Sequence, residues 1–145
     1  MRLANYDYTH SGVYFITICT YRFADLFGRI VDGKMKLNEL GRLVAEEWQS
    51  TAAVRPSVEV DLYVVMPNHI HGLLHISNDK SGKIPELSGK MRANSLGSII
   101  AQFKSKVTKR SRNLANPQRT RIWKRNYYDH IVRNERSLEH SQIYP

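Results

Sequence analysis

The chain has 145 residues, 41% of them hydrophobic and 24% charged, which suits one folded domain and excludes a low-complexity disordered chain or two domains of ordinary size. The lone cysteine, Cys19, excludes an internally disulfide-stapled fold; no apolar run reaches bilayer length, and the first dozen residues lack the apolar stretch of a secretion signal, so the cytoplasm is the expected compartment and no membrane partner is expected. The net charge of +9 is uneven, −1 over residues 1–66 and +10 over residues 67–145, which suggests a polyanionic partner such as nucleic acid alongside the plainer reading of a solvated basic surface.

Residues 13–21 (VYFITICTY) are rich in β-branched and aromatic side chains and predict a strand. Asp32-Gly33, between short apolar stretches in 27–37, predicts a hairpin. Asn38 then suits a helix N-cap, and Leu40, Leu43, Val44 and Trp48 recur at helical spacing, which predicts an amphipathic helix over about 39–53 that closes before Pro56. Residues 58–66 (VEVDLYVVM) predict a strand, Pro67-Asn68 a turn, and 70–76 the returning strand.

Residues 77–92, rich in Gly, Ser and Pro, predict a surface loop. Ser95 suits the cap of a second helix whose stripe is Leu96, Ile99, Ile100, Phe103 and Val107. Residues 122–132 (IWKRNYYDHIV) predict a further strand, and Asn134 suits the cap of a short last helix. Short antiparallel connections with helices on one face give an α+β, ferredoxin-like antiparallel sheet whose other face is free for a site.

The sharpest feature is Met66-Pro67-Asn68-His69-Ile70-His71-Gly72. On a strand His69 and His71 share one face, while Ile70, Leu74 and Ile76 take the other and supply core. Two neighbouring imidazoles can hold one divalent cation; an unligated pair of half-exposed histidines is the alternative. His75 lies further along the same face and reads as a surface or core-edge residue rather than a third ligand. Arg92, Lys104, Lys106, Lys109, Arg110, Lys124 and Arg125 are candidates for phosphate contacts. Trp123, Tyr127 and Tyr128 are interleaved with two of these cations, which suits either base stacking or packing into the core.

Residues 64–74 (VVMPNHIHGLL), with 103–110 (FKSKVTKR), 122–134 (IWKRNYYDHIVRN), 14–20 and 26–30, resemble the single-tyrosine HUH transposases, in the branch of the REP-associated tyrosine transposases. The resemblance covers nearly the whole chain. It implies a fold that cuts and rejoins single-stranded, hairpin-containing DNA through a 5′-phosphotyrosine intermediate. His69 and His71 would hold Mg²⁺ or Mn²⁺, and the nucleophile would be Tyr144, while His130 and Tyr127 would stand beside the site without ligating the ion. Asp61, Glu59 or Asp129 could add a carboxylate. The family pattern continues with an Asn or Gln four residues after the tyrosine, and this sequence stops at Pro145, so the expectation is a chain lacking that end and a third ligand from it. A non-catalytic DNA-binding module is the alternative expectation, an RNA-binding ferredoxin-like domain a weaker one, and a homodimer is compatible with the resemblance.

Overall fold

The structure, a computed structural model, describes residues 12–77, 95–118 and 120–132. Its strands and helices run in the order β1 (Gly12–Cys19), β2 (Gly28–Val31), β3 (Lys34–Leu37), α1 (Glu39–Ala53), β4 (Val58–Met66), β5 (His69–Ile76), α2 (Leu96–Ser111) and β6 (Tyr128–Val132), with a 3₁₀ turn at Tyr21–Phe23. Strands β4, β5, β1 and β6 form one antiparallel sheet in that spatial order, and β2 and β3 form a separate hairpin. Helix α1 lies on the path from β1 to β4 and α2 on the path from β5 to β6. This is the ferredoxin-like arrangement expected.

Local chemistry explains most boundaries. Asp32 (φ 51°) and Gly33 (φ 76°) both adopt left-handed backbone, as a two-residue hairpin turn requires. The Asn38 side chain accepts a hydrogen bond from Gly41 N (2.8 Å) and its amide donates to Leu26 O (2.9 Å), so one residue starts α1 and ties it to the segment leading into β2. Ser95 Oγ accepts from Ser98 N (3.2 Å) at the start of α2.

One sheet face is covered. Tyr14, Ile16 and Ile18 from β1 and Ile70, Leu74 and Ile76 from β5 bury against Leu40, Leu43, Val44 and Trp48 of α1 and against Leu96, Ile99, Ile100, Phe103 and Val107 of α2. An aromatic chain runs through this core: Trp48 meets Phe103 edge-on at 5.1 Å, Phe103 meets Trp123 at 5.5 Å, and Trp123 meets Phe27 at 5.6 Å. Gly72 belongs to the same layer. Between Val60 and Tyr63 the β4 register shifts, which brings Tyr63 against β5, and a Cβ at Gly72 would stand 2.4 Å from Tyr63 Cβ.

The strand expected over 122–132 is shorter than its composition suggests. Trp123 makes an isolated bridge with Thr20, and Lys124 N donates to Cys19 O (2.9 Å). Asn126 then turns into left-handed backbone at φ 71°, and regular pairing resumes at Tyr128. Likewise β1 stops at Cys19, and Tyr21 enters the 3₁₀ turn instead of extending the strand. The expected loop at 77–92 and the helix after Asn134 lie outside the described residues, apart from Ser77, which pairs its N with Ser57 O (2.9 Å).

Trp123 is 6% exposed, which resolves its two readings in favour of core. Replacing Trp123 with Ala should therefore lower the free energy of unfolding by about 3–5 kcal/mol, measured by urea denaturation. Unchanged stability would mean that the ring serves the surface instead.

Candidate functional site

The opposite sheet face carries the histidines. Pairing register sets His71 between Thr17 of β1 and Val64 of β4, and His69 between Cys19 and Met66. The two rings are 4.9 Å apart, centre to centre, and nearly perpendicular. Burial lowers the pKa of both, and the neighbouring His69 adds to the effect on His71, which is pushed down to about 4. Both rings are thus neutral at pH 7, the state in which imidazole ligates a metal. His71 Nε2 is buried and has no hydrogen-bond partner among the described residues.

His69 is oriented by a residue that sequence reading treats only as a turn. Its Nδ1 lies 2.8 Å from Asn68 Oδ1, and Asn68 Nδ2 donates to Phe23 O (3.4 Å). With the amide donating through nitrogen, its oxygen accepts a proton from Nδ1, which leaves the His69 Nε2 lone pair for a ligand. The Asn68 main chain is held as well, since Thr20 N donates to Asn68 O (3.0 Å).

These donors suit a two-histidine metal centre. Among the described residues no group of three or more His, Cys, Asp or Glu side chains is placed to share an ion. The carboxylates considered from sequence stand elsewhere. Asp61 is 2.7 Å from His75 Nε2, which occupies both groups with each other. Asp129 is buried on β6, next in sequence to His130 and on the opposite side of the strand. Glu59 is exposed beside His75.

His130 joins the site through Phe15. The Phe15 ring lies 5.5 Å from His71 and 5.2 Å from His130, so three rings cross β5, β1 and β6 in a row. The companion choice, Tyr127, needs correction: it lies just before β6 and packs against the core. Tyr128 is the tyrosine that emerges beside Thr17, half exposed, and Lys124 Nζ donates to its hydroxyl (2.8 Å).

The proposed phosphate-binding cations divide into groups. Lys104 is half-buried and donates to Lys124 O (3.0 Å) and Asn126 O (2.8 Å), so two of its three donors hold the turn before β6, and burial lowers its pKa. Arg110 pairs with Glu47 (2.9 Å) and Glu46 (3.0 Å) across the helices, which neutralises it locally. Lys106 and Lys109 lie on α2, in the helical layer and not on the histidine face. Lys124 and Arg125 flank the sheet end near His69. Arg92 and Tyr144 lie outside the described residues.

A groove of about 580 Å³ opens at that end, lined by Lys104, Arg112, Arg121, Lys124 and Arg125 together with Ser, Thr, Gln and Asn side chains and no carboxylate. Arg112 and Arg121 are not among the phosphate-contact candidates named from sequence; a dense run of cations without acidic residues over 104–125 is the available signal.

Because the folded-state pKa of His71 is depressed, the unfolded chain takes up its proton first. The stability contribution is complete above about pH 6.5 and is lost as pH falls toward about 4. Urea midpoints of His71→Gln should therefore fall less steeply than wild type across that window. Parallel curves would show that His71 is not desolvated.

No model of a known protein family matches the sequence. Among solved structures, a REP-associated tyrosine transposase bound to a REP hairpin superposes with a TM-score of 0.63 at 21% identity, over 99% of this chain and 70% of that one. A protein of Deinococcus radiodurans R1, provisionally described as a transposase, superposes with a TM-score of 0.55 at 14% identity, over 99% of this chain and 94% of that one. The fold is thus transposase-like. An uncharacterized protein of Haemophilus influenzae is 40% identical over 152 residues, covering 99% of this chain and 82% of that protein. The chain belongs to the same family as that Haemophilus influenzae protein.

Proposed function

We propose that the protein is a metal-dependent single-stranded DNA transposase or endonuclease that acts at hairpin-containing ends, in the manner of the REP-associated tyrosine transposases. The observation that carries this reading is the neutral pair His69 and His71 side by side on the sheet face away from the helices, with His71 Nε2 buried and without a hydrogen-bond partner among the described residues. The transposase-like fold and the basic groove at the same end of the sheet support it.

In this reading Tyr144 is the nucleophile. Its phenolic oxygen bonds to the scissile phosphorus as the bond to the 3′-oxygen breaks; the phenolic proton is lost, and the departing 3′-oxygen takes one up. The product is a 5′-phosphotyrosine, whose retained bond energy allows rejoining without a nucleotide cofactor. Mg²⁺ or Mn²⁺ held by His69 and His71 would polarise the phosphate as a Lewis acid. Imidazole donors suit Mn²⁺ better than Mg²⁺, which favours oxygen. Asn68 keeps His69 in the ligating tautomer. Lys124, Arg125, Arg112 and Arg121 hold backbone phosphates, which secures the strand without reading its sequence. Arg92, Lys106 and Lys109 would add to that field; Lys104 chiefly builds the groove wall.

Incubation with labelled hairpin-bearing single-stranded DNA and Mn²⁺ should give a covalent adduct that survives denaturation. Tyr144→Phe should abolish the adduct, and His71→Ala should slow cleavage on the order of a thousandfold. Salt-sensitive binding with no adduct would assign the protein to non-catalytic DNA binders. Cleavage that persists in His71→Ala would refute the metal role of the pair.

A further inference from the structure

The turn after β1 holds two successive non-glycine residues in left-handed backbone, Arg22 at φ 56° and Phe23 at φ 57°. Each such residue costs about 1–2 kcal/mol, so surrounding bonds must hold the turn in place. They do: Phe23 N donates to Thr20 O (3.1 Å), Ala24 N to Tyr21 O (3.2 Å), Thr20 Oγ1 to Ala24 O (2.7 Å), and Asn68 Nδ2 to Phe23 O (3.4 Å).

The strained turn displays an aromatic ring instead of burying it. Phe23 is 54% exposed although phenylalanine ordinarily belongs in a core. Tyr128 is 50% exposed nearby. One ammonium serves both rings, with Lys124 Nζ 4.9 Å from the Phe23 centroid and 5.1 Å from that of Tyr128. Tyr128 stands opposite Thr17, which stands opposite His71. Two exposed rings thus flank one ammonium, with β1 between Tyr128 and the histidine pair and the basic groove alongside.

We infer that Phe23 and Tyr128 form a stacking platform for unpaired bases of a DNA strand leading to the histidine pair, with Lys124 moving off the rings to meet a flanking phosphate. The inference rests on the proposed single-strand function and adds to it the part of the substrate gripped here: the unpaired tail, not the hairpin stem. Aromatic faces accept any base, so the platform contributes affinity and alignment rather than sequence choice. Trp123 and Tyr127 pack in or against the core and take no part.

The test compares DNA hairpins with and without a short unpaired tail, by fluorescence anisotropy in the absence of metal. Phe23→Leu and Tyr128→Leu should each weaken binding of the tailed hairpin by roughly 5- to 150-fold, leave the blunt hairpin unchanged, and preserve the melting temperature. Tyr128→Phe, which keeps the ring and loses the bond from Lys124, should retain wild-type affinity. A 2-aminopurine in the tail should be quenched by wild type and not by the leucine variants. Leucine variants that bind the tail like wild type, or that lose blunt and tailed hairpins equally, would overturn the platform, as would preference for a ribonucleotide tail. No adduct is read in this assay, so loss of the cleavage reading and loss of the platform are separable.

Discussion

Alternation along β5 is the constraint on which the rest depends. Ile70, Leu74 and Ile76 must reach the helices, and Gly72 must admit the shifted backbone of β4. A slip by one residue would expose those side chains and drive both histidines into the apolar core. The hydrophobic demand of one face therefore fixes the chemistry of the other, and His69 and His71 need no separate positioning in register. Their neutrality follows from the same placement, because flanking strand residues remove water that would stabilise the protonated rings.

The sheet end near His69 concentrates the remaining constraints. The Thr20–Phe23 turn, Asn68 and Lys124 are far apart in sequence, yet main-chain and side-chain hydrogen bonds tie the turn after β1 to the β4–β5 turn and to the segment before β6. Lys104 reinforces the last of these by donating to two carbonyls. A strained backbone at Arg22 and Phe23 is held between them, so the orientation of His69 and the display of Phe23 share one support through Asn68. Disturbing that amide should affect both together.

Much of this fold is legible from residue pattern. The span of α1, the caps at Asn38 and Ser95, the Asp32-Gly33 turn and the facing of the histidine pair all depend on local periodicity or turn chemistry, and all appear as expected. Features set by distant partners are not legible in this way. The β4 shift is visible only once Gly72 lies against Tyr63. Residues 122–127 have strand-like composition, but the left-handed Asn126 and the pull of Trp123 into the core interrupt pairing. For the site, a list of cations cannot separate Arg110, matched by two glutamates from another helix, from Arg121 in an unopposed groove. Nor does Tyr127-Tyr128 reveal which ring faces out until the register of β6 is known.

We propose that the histidine face of β5 is a divalent-cation site. Paramagnetic broadening by substoichiometric Mn²⁺ in a heteronuclear NMR spectrum tests it most directly, because it reports location without requiring DNA or turnover. Resonances of His69 and His71 should broaden first, followed by Thr17, Cys19 and Val64, while α1 and the β2–β3 hairpin stay sharp. Broadening centred on the Asp61–His75 pair or on Glu46 and Glu47, with the histidine pair untouched, would contradict it.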